Sequence, residues 1–367
     1  MNIGIMTFHY ALNAGAVLQA YALQKYLINQ GFNVEIINYR PKRKIGIRDF
    51  IAKKPIKIWH KTMDRLNAFR YERLDNFGGI LQRSVSVYYS PIELQNNPPK
   101  YDVYIAGSDQ IWNISSNYKI DKEYFLDFGS DSTKKIAYAA SMNINHTQEF
   151  NLPVNLNITI KNLLTSFHAI SLRETNAVNF IQSLFGNERQ IEHVPDPTFL
   201  LDAEEYKKLL TDNCQPKEPY IAAYILAELA EEQKQAIRYI KNKKQLKIIN
   251  LRNPDTCIRL NGAKNKITMP SEWLTYIYYA NFTICCSFHA VVFSLIFHKS
   301  FIVITPRKND RISSLLNVLG LENRIIINYN SKQLEQILNE NIDWNLVDTI
   351  LNKEREKGIK FLMNNLN

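Results

Sequence analysis

The residues of this chain equipped for chemistry stand where apolar strands give way to polar turns. The stretch Thr283-Ile284-Cys285-Cys286-Ser287-Phe288-His289-Ala290 reads as a strand running into a helix, with Ser287 at the N-cap position. His289 then falls in the first helical turn, beside backbone N–H groups that suit a phosphate or another anion. Its imidazole can exchange a proton near neutral pH, or it can merely fill space in a capped core helix. Arg173 and Glu174 follow the apolar strand Ala169–Leu172. A guanidinium there can hold a carboxylate or phosphate through two parallel hydrogen bonds, or form an exposed ion pair. In the turn Ala106-Gly107-Ser108-Asp109-Gln110-Ile111-Trp112-Asn113, small residues admit a ligand closely. Asp109, Gln110 and Asn113 have the groups to read sugar hydroxyls, and Trp112 could stack on a sugar ring or simply pack. Turn chemistry alone would select the same residue types.

A first loop, His9 to Gln19, occupies an equivalent strand-to-helix position and lacks the glycine pattern of a dinucleotide site. No phosphate-binding GxxxxGK[ST], HExxH or GxSxG stretch occurs. His193 and Asp196 lie near the expected cleft, but Pro195 and Pro197 make a structural linker turn the favoured reading. The four cysteines, at 214, 257, 285 and 286, lack metal-ligand spacing, so no metal is expected and a reduced compartment fits.

These sites need a scaffold, and the alternation of strand and helix supplies one. Strands are expected at Asn2–Phe8, Asn33–Asn38, Asp102–Ala106, Lys135–Ala140, Ala169–Leu172, Tyr220–Ile225, Lys247–Asn250, Phe282–Cys285, Phe301–Ile304 and Arg324–Ile327. Helices between them include Ala16–Asn29, Thr175–Leu184, Glu231–Asn242, Ser271–Ala280, Phe288–Phe297 and Arg311–Leu319. Such a pattern predicts an α/β protein with mostly parallel sheets. With 367 residues, 46% of them hydrophobic and 22% charged, the chain is an ordinary globular protein of two or three domains. We expect two Rossmann-like domains facing a cleft, residues 1–200 and 219–367, joined by a polar linker over 201–218. The longest apolar run, 290–297, is too short to cross a bilayer, and the N-terminus carries no secretory pattern, so a cytoplasmic location is expected.

Lys plus Arg number 45 against 35 Asp plus Glu, a formal charge of +10. From Arg40 to Arg73 there are twelve Lys or Arg and three acids, so one segment carries nearly all of the excess. Phe50, Ile51, Ile56, Ile58, Trp59, Leu66, Phe69 and Tyr71 interleave with the basic residues. A basic helical insertion over 40–85 is expected. It suits an anionic lipid surface or a phosphorylated ligand, with a plain solvated face as the alternative. Nucleic acid is not expected, because the rest of the chain has no basic stripe.

Taken in order, several stretches resemble the polysaccharide pyruvyl transferase family. They are Thr7-Phe8-His9-Tyr10 with Asn13 and Gly15-Ala16-Val17-Leu18-Gln19; Gly107-Ser108-Asp109-Gln110-Ile111-Trp112-Asn113; Tyr124-Phe125-Leu126-Asp127-Phe128; and Lys135 to Ser141. Ser171-Leu172-Arg173-Glu174, Asp196-Pro197-Thr198, Ser287-Phe288-His289-Ala290 and Arg311-Ile312 complete the series. The resemblance implies a fold like that of GT-B glycosyltransferases and phosphoenolpyruvate as donor substrate, with no other cofactor. The product would be a cyclic pyruvate ketal on two sugar hydroxyls, with release of phosphate. It further implies that His289 is the acid–base residue, as acid or base, and that Arg173 holds the donor's phosphate or carboxylate. Ser287, Phe288, Arg311 and Glu174 would lie on the donor side. His9, Asn13, Gly15, Gln19, Ser108, Asp109, Gln110, Trp112 and Asn113 would lie on the acceptor side. Some members carry an arginine two positions before the histidine; here that position is Ser287, and Arg311 or Arg307 would substitute. The acceptor would be a glycan on a polyprenyl pyrophosphate, with residues 40–73 docking the enzyme peripherally on the anionic inner membrane face. A glycosyltransferase using a nucleotide sugar and a non-catalytic sugar-binding scaffold are the rival readings.

Overall fold

Short apolar stretches bounded by polar turns bury both faces only by pairing as parallel strands under helices. The computed structural model describes residues 1–41, 79–114, 120–130, 132–142, 152–252, 258–306 and 309–367. The first half contains β1 (Asn2–Met6), α1 (Ala14–Asn29), β2 (Asn33–Tyr39), β3 (Arg83–Tyr88), α2 (Pro91–Asn96), β4 (Val103–Ala106) and β5 (Lys134–Ala140). It continues with α3 (Val154–Thr165), β6 (Ala169–Leu172), α4 (Thr175–Phe185) and β7 (Glu192–His193). The series then restarts with α5 (Ala203–Lys207), β8 (Tyr220–Tyr224), α6 (Glu231–Lys244), β9 (Lys247–Arg252), β10 (Lys264–Ile267), α7 (Pro270–Tyr278) and β11 (Phe282–Cys285). It closes with α8 (Phe288–Ile296), β12 (Phe301–Ile304), α9 (Asp310–Val318), β13 (Ile325–Ile326), α10 (Ser331–Asn339) and α11 (Trp344–Leu366).

The strands form two sheets, ordered β3-β2-β1-β4-β5-β6-β7 and β10-β9-β8-β11-β12-β13. Every pairing between these strands is parallel. In each sheet the winding reverses at one place, between β1 and β4 and between β8 and β11. Loops leaving the carboxyl ends of strands diverge at such a switch point and leave a crevice. The fold therefore creates two crevices, one per sheet.

One apolar core runs through both halves, taking in Val17, Leu18 and Tyr138 from the first and Trp273, Phe293 and Val303 from the second. The terminal helix α11 then returns to the first half. Its Arg355 guanidinium donates to the carbonyls of Phe199 at 2.6 Å and Leu201 at 3.3 Å, and Phe361 packs near Tyr138.

The basic segment expected to be helical over 40–85 falls largely on residues 42–78, outside the described residues. At its far end the structure corrects the expectation. Arg83-Ser84-Val85-Ser86-Val87-Tyr88 is β3, the edge strand beside β2. Its β-branched alternation suits a pleated, half-buried edge better than a helix.

Candidate active site

The peptide leaving β11 turns at Ser287, whose backbone is extended and whose Oγ accepts the Ala290 N–H at 3.2 Å. This cap commits the serine to its own helix and sets His289 in the first turn of α8, 7% exposed.

Arg173, one residue beyond β6, is buried, which excludes the surface ion pair considered from sequence. Its Nη1 donates to Asp196 Oδ2, its Nε donates to Glu174 Oε1 at 3.3 Å, and its Cζ lies 4.5 Å from the Phe288 ring centroid. Glu174 Oε1 also accepts the Ser141 hydroxyl at 2.6 Å. Asp196, 1% exposed, takes the Thr198 N–H at 3.0 Å and the Thr198 hydroxyl at 2.7 Å on its Oδ1. Burial alone would push the Asp196 carboxyl up. The neighbouring His289, Arg173 and Thr198 more than offset this and hold it well below the usual carboxylate range. Burial likewise disfavours the charged Arg173, but Asp196 and Glu174 keep it ionised. His289 Nε2 lies 3.6 Å from Asp196 Oδ2.

The two crevices face each other and merge into one open cleft of about 1080 Å³. Asn13, Asp109 and Gln110 come from the loops after β1 and β4; Leu226, Ala227, Cys286, Ser287, Phe288 and His289 from those after β8 and β11. Thr305, Pro306, Asn309 and Arg311 close the second side. Three helices, α1, α8 and α9, begin at this cleft and turn their partially positive ends toward it, α9 with Asp310 in its first turn. Gln110, with its amide oxygen turned to Arg311, accepts from Nη1 at 2.5 Å and Nη2 at 2.8 Å. Arg311 thus has a neutral amide as its direct partner. Desolvation, and then the charge of Arg173, lower its pKa.

A family profile for polysaccharide pyruvyl transferases matches residues 13–308. This chain belongs to the polysaccharide pyruvyl transferase family. The two-sheet architecture is that of GT-B folds. It is similar over 99% of its length to the whole of a UDP-GlcNAc 2-epimerase from Methanocaldococcus jannaschii, at 15% identity and a TM-score of 0.57. A second similar structure is that of S. aureus MnaA with UDP, at 11% identity and a TM-score of 0.50, covering 99% of this chain and 97% of that one. No curated protein sequence matches the chain. The family implies a transferase with a polysaccharide acceptor.

In this pyruvyl transferase family member, the tertiary structure sorts the expected site residues into two groups. Asn13, Asp109, Gln110, Ser287, Phe288, His289 and Arg311 line the cleft. Asn13 also caps α1, its Oδ1 accepting the Gly15 N–H at 3.0 Å, and Asp109 holds a left-handed φ of 71°, a strained turn of the kind found at ligand sites. Arg173 and Glu174 lie behind Phe288 instead. Arg173 faces a second cavity of about 520 Å³, which shares Phe288 and Arg311 with the cleft and whose walls include Asp196, Phe199, Leu315 and Leu351.

Several residues expected at the acceptor take structural places. Trp112 is 1% exposed, stacks on Phe125 with centroids 4.8 Å apart, and donates its indole N–H to the Tyr124 carbonyl at 2.8 Å. Its faces are therefore spent on the core. Gln19 is buried and donates to Thr7 Oγ1 at 3.0 Å and the Ala16 carbonyl at 2.9 Å, tying the β1 loop to α1. His9 is buried between the Thr7 carbonyl and Asn38 Oδ1, each 3.3 Å away. Ser108 is buried and donates to the Ala139 carbonyl at 2.7 Å. Asn113 is exposed beside Gln110, outside the lining of the cleft. Gly15 lies directly against the His289 ring.

Asp196 is the residue that sequence reasoning missed. Pro195 and Pro197 favour a linker turn, and Asp196 does cap the short helical turn Pro197–Leu200. Its second oxygen, however, meets Arg173 and His289. No local pattern distinguishes an aspartate that only caps from one that also bridges. Among the described residues no helix is long and apolar enough to cross a membrane.

Proposed function

We propose that this protein moves the pyruvyl group of phosphoenolpyruvate onto two hydroxyls of a sugar in a lipid-linked polysaccharide repeat unit. The observation that carries the reading is the cleft itself. His289, Arg311 with the neutral Gln110 as its hydrogen-bond partner, and three helix N-termini converge on one polar space that Asp109 also lines, a setting for a small anion bearing a group that must exchange protons.

In the reaction the methylene carbon gains the proton that His289 takes from the attacking sugar hydroxyl, and C2 becomes electrophilic. One sugar hydroxyl attacks C2, the C–O bond to phosphate breaks, and the second hydroxyl closes the ketal. Of the two hydroxyl protons, one ends on the new methyl group and the other on phosphate, so the balance needs only donor and diol. His289 moves protons in this scheme. Arg311 and the N-termini of α1, α8 and α9 stabilise the departing phosphate. The charge of Arg173 is already matched by Asp196 and Glu174, so its part is to hold the wall formed by Phe288.

Phosphate release from phosphoenolpyruvate with a panel of short lipid-linked oligosaccharides tests the proposal, the mass of each acceptor being read in parallel. Release matched by a pyruvyl-ketal mass gain supports it. No release with any acceptor, together with thermal stabilisation by UDP, would replace it with a nucleotide-sugar glycosyltransferase.

A further inference from the structure

His289 uses its two nitrogens differently. Nε2 is sealed from solvent, has no hydrogen-bond partner among the described residues and faces Asp196 Oδ2 at 3.6 Å. That spacing exceeds a hydrogen bond, and catalytic contacts of this kind tighten when substrate binds. Nδ1 lies on the opposite ring edge, against Gly15 at the start of α1. Among the described residues it has no hydrogen-bond partner, and it belongs to a residue lining the cleft.

The surroundings of Asp196 decide which nitrogen carries the proton. Its Oδ1 accepts from the Thr198 N–H and hydroxyl, and its Oδ2 accepts from Arg173 Nη1. The hydroxyl of Ser108, 3.3 Å from Oδ2, spends its proton on the Ala139 carbonyl. Ringed by donors, the carboxylate stays ionised and can only accept. A neutral imidazole facing it must present N–H on that edge.

We propose that Asp196 is the positioning residue of His289, fixing the neutral ring with its proton on Nε2 and leaving the Nδ1 lone pair as the atom that takes a proton from a sugar hydroxyl in the cleft. The imidazolium so formed is stabilised by Asp196, and Nδ1 returns the proton to the methylene carbon or to phosphate within the same turnover. The catalytic half of this statement rests on the pyruvyl-transfer reading; the tautomer half does not.

The test is a long-range proton–nitrogen correlation spectrum of the full-length protein carrying ¹⁵N-histidine, recorded without substrate at a pH where the rings are neutral. The spectrum of His289→Gln identifies the His289 signals. The expected pattern has the protonated nitrogen coupled to both ring carbon-bound protons, which marks Nε2, and the unprotonated nitrogen coupled to one. The inverse pattern overturns the proposal. Asp196→Asn places an amide N–H among donors, and loss of the Nε2–H preference is expected. An unchanged tautomer in a folded Asp196→Asn protein also overturns it, and if that variant does not fold the wild-type spectrum decides alone. Because the spectrum reads no turnover, a wild-type protein that consumes no phosphoenolpyruvate would count against the proposed reaction and leave the tautomer result standing.

Discussion

Gly15 of the first half and His289 of the second touch across the cleft. A Cβ added at Gly15 would come within 2.4 Å of His289 Nδ1 and 2.7 Å of the histidine's own Cβ. The second of these atoms is the root of the side chain and cannot swing aside. Gly15→Ala therefore forces the halves apart or tilts the ring. Misplacement of about 1 Å can cost roughly 100-fold in rate, so we expect a kcat loss of that order. Alanine favours the helix by about 1 kcal/mol over glycine, which limits the loss of stability. A Gly15→Ala enzyme with wild-type kcat would show that this contact does not set the geometry of the site.

The Arg173 cluster predicts a stability effect. Arg173→Ala leaves the buried Asp196 and Glu174 without the guanidinium that joins them. Breaking a buried pair by removing one partner costs about 3–5 kcal/mol. Urea unfolding should show a loss of that size, and Arg173→Lys should recover only part of it, because an ammonium lacks the planar fork that serves two carboxylates. A loss below about 1 kcal/mol, in the range of surface pairs, would contradict the geometry.

Arg311→Gln should act on binding more than on folding. Its direct partner is the neutral Gln110, so its removal strands no carboxylate at hydrogen-bond distance. Hydrogen bonds to charged groups contribute about 1.5–3 kcal/mol, which at ~1.4 kcal/mol per decade predicts a KM for phosphoenolpyruvate raised roughly 10- to 150-fold. Steady-state kinetics check this, and an unchanged KM would remove Arg311 from the donor site.

His9 predicts a pH dependence of stability. Burial, followed by lesser effects of Arg83 and Arg40, lowers its pKa from 6.5 to about 4 despite acceptors at both nitrogens. Between these values the unfolded chain binds a proton that the folded protein refuses, so stability falls as pH drops from 6.5 toward about 4 and the contribution is complete above 6.5. At ~1.4 kcal/mol per pH unit the loss amounts to about 3 kcal/mol. Denaturant midpoints measured across this range should decline with acid, and His9→Gln should flatten the slope by one proton.

The basic stretch predicts salt-sensitive binding to anionic vesicles. Neutralising Lys42, Arg43, Lys44, Lys53 and Lys54 removes about 1 kcal/mol for each charge near the surface, a weakening on the order of 10³-fold. Vesicle co-sedimentation that is indifferent to the substitutions would assign the segment a plain solvated role.

Much of the scaffold was legible in short-range pattern. The strands Ala169–Leu172, Phe282–Cys285 and Phe301–Ile304 match their apolar runs residue for residue, and α1, α4 and α6 lie within two residues of their expected ends. The elements that escaped carry weak patterns. β10, Lys264-Asn265-Lys266-Ile267, is a polar edge strand paired on one side only, and β7 has two residues. The site divides along the same line. Ser287 as a cap and His289 in the first turn follow from local chain chemistry, because a cap and its helix are made by adjacent residues.

Trp112 and Gln19 show where local pattern stops. Their types suit a sugar site, and only the packing of Phe125 and the hydrogen bonds to Thr7 and Ala16 commit them to structure. Local pattern alone specifies the two series of strands, the family and the place of His289 in the first turn of α8. The tertiary structure decided that Arg173 turns to Asp196 and Glu174 rather than to the cleft, that Arg311 faces a neutral partner, and that Gly15 meets His289. The reason is physical: secondary structure is selected by neighbours within a few residues, whereas the charge state of a buried group depends on whichever distant segments the fold brings to it.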